Sequence, residues 1–191
     1  MYCRFLGVKA TFVTSNENKL REAREILGIE IRGASLDLPE PQAVSVADVV
    51  AEKARAARAA LGDPPHPVLV EDSGIVFGAW NGLPGALTKW FLFSVGNEGL
   101  LKMLDGHEDR SARAVCALAV APPDLPARVF LGEVPGQVAP SPRGGGGFGW
   151  DPIFVPDEPG GETYAELGPR KNDDSHRARA FRAARAVLMQ G

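Results

Sequence analysis

Apolar positions follow two rhythms along this chain, a helical one interleaved with short runs at first and a strand-like one later. "ATFVTS" (10–15) is a β-rich run, and in "NENKLREAREILG" behind it Leu20, Ala23 and Leu27 recur at i, i+3 and i+7 before Gly28. That spacing predicts a strand entering a helix through Ser15 and Asn16, with Gly28 as the stop. "EIRGASLDL" (30–38) predicts a second strand and "PEPQAVS" a loop. Ser45-x-x-Asp48 resembles a capping box opening an Ala-rich helix that reaches about Leu61. "VLVED" (68–72) reads as a buried strand with two carboxylates at its tip and a Ser-Gly turn after it. "IVFGAW" predicts a further strand, closed by the turn residues "NGLPG". "ALTKWFLFSVG" and "NEGLLKMLDG" predict two helices, each with a terminal glycine.

From residue 111 the period falls to two. "SARAVCALAVA" and "ARVFLGEV" predict long antiparallel strands joined by "PPDLP", and "PIFVP" a short strand. "SHRARAFRAARAVLMQ" predicts a closing helix with Phe181, Ala184 and Leu188 on one face. Strands that alternate with helices early and cluster late imply an α/β (α+β mixed) fold with a mixed sheet. The 191 residues are read as a single domain, 1–191, of two closely packed lobes.

Charge narrows the partners. A formal net charge of −3 lacks the basic footprint of a protein that binds a nucleic-acid polymer, so any nucleotide partner is small and gripped locally. Cys3 and Cys116 make neither a disulfide framework nor a C-x-x-C metal site. No apolar run is long enough for a membrane span, and the start lacks the core of a signal peptide. The expectation is a cytoplasmic protein with free thiols and no membrane partner.

Several stretches carry candidate chemistry. "TSNENK" (14–19) stands at a strand-to-helix junction, where free N–H groups favour a phosphate, with Lys19 one turn in. The same residues are also ordinary helix caps. Glu71 and Asp72, adjacent carboxylates ending an apolar strand, would repel each other if buried, and a Mg²⁺ ion removes that conflict through hard oxygen ligands. Glu40, in "LPEPQ", is a third candidate ligand. Asp-Ser-Gly is equally good turn chemistry. "KNDDSHR" (171–177) opens the last helix, and capping accounts for its aspartates and Ser175 but not for His176 and Arg177.

"RGGGGFGWDP" (143–152) contains a formal G-x-G-x-x-G, but "PSPR" precedes it where a strand is needed and Pro152 follows where a helix would open. The dinucleotide reading therefore fails. Phe148 and Trp150 flank Gly149, so in extended chain both rings would project to one side and could stack on a nucleobase, with the glycines as hinge and clearance.

In order along the chain stand T-x-N-x-x-K, a Glu loop, a helical Lys53, E-D-S-G, L-P-G with K-W-F, G-F-G-W-D-P-I-F, T-Y-A-E-L and K-N-x-x-S-H-R. This series, from Thr14 to Arg177, resembles the inosine triphosphate pyrophosphatase family. The resemblance implies hydrolysis of non-standard purine nucleoside triphosphates (ITP, dITP, XTP) to the monophosphate and pyrophosphate. It also implies Mg²⁺ dependence, a homodimer, and an elongated mixed sheet flanked by helices whose two lobes enclose a nucleotide cleft. Other readings are a Maf-type pyrophosphatase acting on modified pyrimidine nucleotides and a nucleotide-binding protein without catalysis.

Mapped by motif, the resemblance makes Thr14, Ser15, Asn16, Lys19 and Lys53 phosphate binders, with Ser73 also on the substrate. Glu40, Glu71 and Asp72 would hold metal, Asp72 serving as ligand or as general base for the attacking water. Phe148, Gly149, Trp150 and Asp151 would form the base pocket, closed by Lys171, Ser175, His176 and Arg177. His176 and Arg177 are expected to donate to the 6-oxygen of the purine. Ser15 stands where the family usually has glycine, and Arg170 where an acid is common.

Overall fold

The first apolar run forms β1 (Ala10–Val13), and all four of its residues are buried. The structure is a computed structural model that describes residues 10–39 and 41–189. β1 lies in parallel between β2 (Ile31–Ala34) and β3 (Val68–Phe77). Helix α1 (Glu17–Leu27) connects β1 to β2, and α2 (Val46–Ala60) brings the chain on to β3. Asn16 caps α1 and Ser45 caps α2, as their side chains suggest. Beyond β3 the sheet turns antiparallel through β4 (Ser111–Ala121), β5 (Arg128–Val138) and β6 (Phe154–Pro156). The result is one mixed six-stranded sheet, β2-β1-β3-β4-β5-β6, flanked by helices. Helix α3 (Thr88–Met103) follows β3, and the short α4 (Tyr164–Leu167) and α5 (His176–Leu188) end the chain.

Helices cover both faces. On one, Leu20, Ala23 and Leu27 of α1 and Phe181, Ala184 and Leu188 of α5 pack on Phe12, Leu69, Cys116 and Leu118. On the other, Val46, Val50, Ala54 and Ala57 of α2 pack on Val68, Val70, Ala117 and Ala119. A third cluster joins Leu100 and Leu104 of α3 to Ile75, Phe77, Trp150, Phe154 and Tyr164. No helix among the described residues is long and apolar enough to cross a membrane.

Two expectations change. The Ser-Gly turn after "VLVED" does not exist: β3 runs unbroken, with Asp72, Ser73 and Gly74 paired to Ala117, Cys116 and Val115 of β4. Gly74 serves clearance. A Cβ there would collide with the Gly85 carbonyl oxygen and lie 2.7 Å from Thr88 Oγ1, the hydroxyl that seats the start of α3 on Ile75. The strand predicted in "IVFGAW" is thus the second half of β3, and "GAW" is a 3-10 turn. The two helices predicted over 86–106 run end to end as α3, broken at Gly96, whose φ of 67° and ψ of −176° are not helical.

Candidate active site

β1 stops pairing with β3 at Val13, opposite Val70, while β3 runs on to Phe77. Beyond that step Glu71, Asp72 and Ser73 border a cavity of about 730 Å³. The β1–α1 loop contributes Thr14, Ser15 and Asn16 to its wall, with Lys19 from α1 and Lys53 from α2. Phe148 to Asp151 form another side, and His176 and Arg177 enter from the start of α5. Lys171 and Ser175 do not line it. Ser175 is buried as the cap of α5, accepting from the Ala178 N–H at 3.1 Å. Glu40 lies outside the described residues.

The two carboxylates are neighbours in sequence but not in environment, because successive strand residues face opposite ways. Leu69 belongs to the α1/α5 core and Val70 to the α2 core, so Glu71 projects toward α1 and α5, and Asp72 toward α2. Glu71 Oε1 accepts from Arg177 Nη2 at 3.0 Å, and Lys19 Nζ lies 3.0 Å from its Oε2. Burial alone would raise the Glu71 pKa, but Arg177 and Lys19 outweigh it and hold the carboxyl well below the usual range. Asp72 behaves oppositely: burial pushes it from its ordinary 3.8 up to about 6, with Lys19 and Lys53 pulling it down and Glu71 pushing it up. Its Oδ2 is buried without a hydrogen-bond partner. The expected mutual repulsion is therefore relieved mainly by strand geometry and by two cations on the Glu71 side.

Arg177 is fully buried, with Nη1 donating to Glu22 Oε2 and Nη2 to Glu71 and to Ser73 Oγ at 3.0 Å. Glu22 also takes Lys171 at 2.7 Å, and Lys171 pairs with Asp151 at 2.8 Å. Burial would raise the Glu22 pKa, and Arg177 and Lys171 lower it below the ordinary value. A buried chain of charges thus runs from Glu71 to Asp151. The terminal nitrogens of Arg177 thus meet carboxylates and a hydroxyl, and its Nε has no partner.

His176 is also buried, and neither ring nitrogen has a hydrogen-bond partner among the described residues. Burial, then Arg177 and Lys171, hold its pKa well below the ordinary value. It is therefore neutral and offers one donor and one acceptor.

Phe148 is half-buried, with Lys171 Nζ 4.9 Å and the Arg177 guanidinium 5.6 Å from its ring centre. Trp150 is buried against His176, Phe154 and Tyr164, at ring separations of 5.1, 5.7 and 6.0 Å. Gly149 at φ 63° and Trp150 at ψ 4° form a turn, so the rings do not share one side of an extended chain as expected. Asp151 closes that turn by accepting from the Phe148 N–H at 2.9 Å. The glycines give the expected clearance. A Cβ on Gly146 would lie 2.7 Å from the Ala165 carbonyl oxygen, and one on Gly147 would strike Asp151. They let the loop sit directly on α4 and on Asp151.

At the other end, Asn16 Oδ1 accepts from the Asn18 and Lys19 N–H groups at 3.0 and 3.2 Å, and Thr14 Oγ1 accepts from the Asn16 N–H at 3.1 Å. Capping thus occupies these acceptors, and the Lys19 ammonium remains at the wall. Glu22, Asp37, Lys89 and Trp90 were not anticipated from the sequence. Lys89 and Trp90 stand in "KWF", whose place after "LPG" was the available signal. Among the described residues no group of three or more His, Cys, Asp or Glu side chains is arranged to hold a metal.

A family model described as the Ham1 family matches residues 10–187. An inosine triphosphate pyrophosphatase of Tuber melanosporum is 47% identical over 175 residues, covering 89% of this chain and 91% of that protein. A dITP/XTP pyrophosphatase of Methanopyrus kandleri is 42% identical over 178 residues, covering 91% and 93%. Among solved structures, a HAM1 protein from Coxiella burnetii superposes with a TM-score of 0.82 at 29% identity, covering 96% of this chain and 100% of that one. A nucleoside-triphosphatase / dITP/XTP pyrophosphatase from Mycobacterium abscessus gives 0.70 at 33% identity, covering 92% and 97%.

Proposed function

The chain belongs to the Ham1 family, and from that premise we propose that it hydrolyses the non-standard purine nucleoside triphosphates ITP, dITP and XTP to the monophosphate and pyrophosphate. The observation that carries this reading is the composition of the cavity beyond the end of β1. The β1–α1 loop and the segment before β6 approach it from opposite ends of the sheet order. Lys19, Lys53 and Lys89 supply point charges for a phosphate tail, and Phe148, with His176 and Trp150 behind it, supplies an aromatic wall for a base. Asp72 lies between.

Magnesium fits the residues present. A buried carboxylate oxygen without a partner, Asp72 Oδ2, is a hard donor, and Mg²⁺ is commonly held by one or two carboxylates together with substrate phosphates. Asp72 would hold it, with Glu71 Oε2 close enough to Lys19 to share that cation's charge. When bound, the ion would neutralise phosphate charge and make water more acidic. Lys19 and Lys53 orient the tail. With no ion on it, Asp72 is ionised above about pH 6 and can accept the proton of the attacking water. His176, neutral, reads the base with one donor and one acceptor, while Arg177 is held by Glu22 and Glu71 and fixes the wall behind Phe148.

The test is pyrophosphate release with and without Mg²⁺ from ITP, ATP and UTP. Metal-dependent turnover that favours ITP supports the reading. Preference for UTP would transfer the protein to pyrimidine chemistry, and tight ITP binding without turnover would make it a binding protein.

A further inference from the structure

The break in α3 brings a side chain to the base loop that no cavity-lining role accounts for. Gly96 leaves helical geometry, and the next residue, Asn97, reaches across 52 residues of sequence to donate from Nδ2 to the Gly149 carbonyl at 2.9 Å. Asn97 itself is half-buried and does not line the cavity. Its Oδ1 is buried without a hydrogen-bond partner, so the bond to Gly149 is what orients the amide. Gly149 is the residue most in need of such a hold. It lacks a Cβ, lies at φ 63°, and joins the two aromatics of the wall. The orientation of the Gly149–Trp150 peptide is set by ψ of Gly149 and φ of Trp150, and without a Cβ the ψ of Gly149 is less restricted than at any other residue, so a hold on its carbonyl matters. In a trans peptide the C=O and the following N–H point in opposite directions. With the Gly149 carbonyl drawn toward Asn97, the Trp150 N–H points away from Asn97, and Phe148, Gly149, Trp150 and Asp151 all line the cavity.

We propose that Asn97 is a positioning residue that fixes the Gly149–Trp150 peptide so that its N–H is presented to an exocyclic oxygen of the base; this rests on the nucleotide reading above. The structure gives a reason for the assignment. Arg177 has its terminal nitrogens occupied, and neutral His176 offers a single donor, so a fixed backbone donor is what the wall requires to prefer an oxo-purine. The link also ties the lining part of α3, with Lys89 and Trp90, to the base loop through one hydrogen bond.

Asn97→Ala and the isosteric Asn97→Asp test it, the second replacing the donor by a carboxylate facing a carbonyl. Inosine monophosphate and tripolyphosphate are titrated calorimetrically into wild type and variants, and kcat and KM are measured for ITP. Losing one orienting hydrogen bond should weaken the monophosphate about fivefold in Asn97→Ala and more in Asn97→Asp, with KM rising and kcat near wild type. Tripolyphosphate, which never meets the base loop, should bind as before. Equal weakening of both ligands would mean general loosening and would overturn the role, as would variants that match wild type. A wild-type protein that turns over no ITP would instead sink the nucleotide reading, and the role of Asn97 with it.

Discussion

Replacing Asp72 by asparagine should make the protein nearly inactive and more stable at the same time. Burial raises the Asp72 carboxyl from 3.8 to about 6, so above pH 6 the folded protein carries a charge that its own environment disfavours. The sign follows from proton binding: between 3.8 and 6 the folded state binds the proton more tightly than the unfolded state, so stability falls as pH rises through that window. The rise is roughly two powers of ten in proton affinity, each worth about 1.4 kcal/mol, or about 3 kcal/mol in full at pH 8. At pH 5 about half of it remains, and near pH 4 little. Asparagine is the neutral isostere and removes the cost. For a chain of this size the gain corresponds to a Tm increase of roughly 5–10 °C at pH 8. Calorimetry of both proteins without metal at pH 8, 5 and 4 measures it, beside ITP turnover, which should fall by about 10²- to 10⁴-fold. A variant no more stable than wild type at pH 8, or equally stabilised at every pH, would show that Asp72 is not a strained carboxylate.

Lys19→Ala and Lys53→Ala should weaken triphosphate binding far more than nucleoside binding, because each acts as a point charge on the tail; equal losses in a binding titration would place them elsewhere. Glu22→Gln leaves Arg177 and Lys171 short of a buried partner and should cost about 3–5 kcal/mol in urea unfolding at pH 7. Because Glu22 and Glu71 have depressed pKa values, their stabilisation is complete above about 4.5 and fades as pH falls below it, so Glu22→Gln should flatten that acid limb. Gly74→Ala should shift the start of α3 off β3 and lower Tm by several degrees, since its Cβ meets the Gly85 carbonyl; an unchanged Tm would show that the contact yields freely.

The elements whose own residues specify them were legible. Asn16 and Ser45 cap α1 and α2 as their side chains suggest, and the period-two stretches became β4 and β5. Gly96 marked the break in α3. What failed depended on distant chain. Asp-Ser-Gly has turn chemistry, but β4 offers a full ladder partner and the segment at Gly85 needs the space that Gly74 leaves. The glycine run promised clearance, but what it clears, α4 and Asp151, is invisible in the local sequence. Glu22 was illegible for the same reason. A glutamate in a helix is ordinary until Lys171 and Arg177, about 150 residues away, fold onto it. The cavity-lining side chains of the β1–α1 loop, β3 and the 148–151 segment were found because they stand in compact motifs. At Arg177 the sequence shows that a cation is present and not which anions claim it.

The alternation of β3 makes the sheet a partition with one carboxylate in each compartment. On the α1/α5 side, Glu71 is neutralised by cations and serves to hold the structure together. On the α2 side, Asp72 keeps an unsettled charge fit for chemistry. Their couplings differ accordingly: Lys53 of α2 acts on Asp72, and Arg177 of α5 on Glu71, while Glu71 itself still raises the proton affinity of Asp72. Lys19 stands at the open edge and acts on both carboxylates. A lineage adjusting its working pH has many routes through α2, and few through Lys19 that do not also loosen the fold.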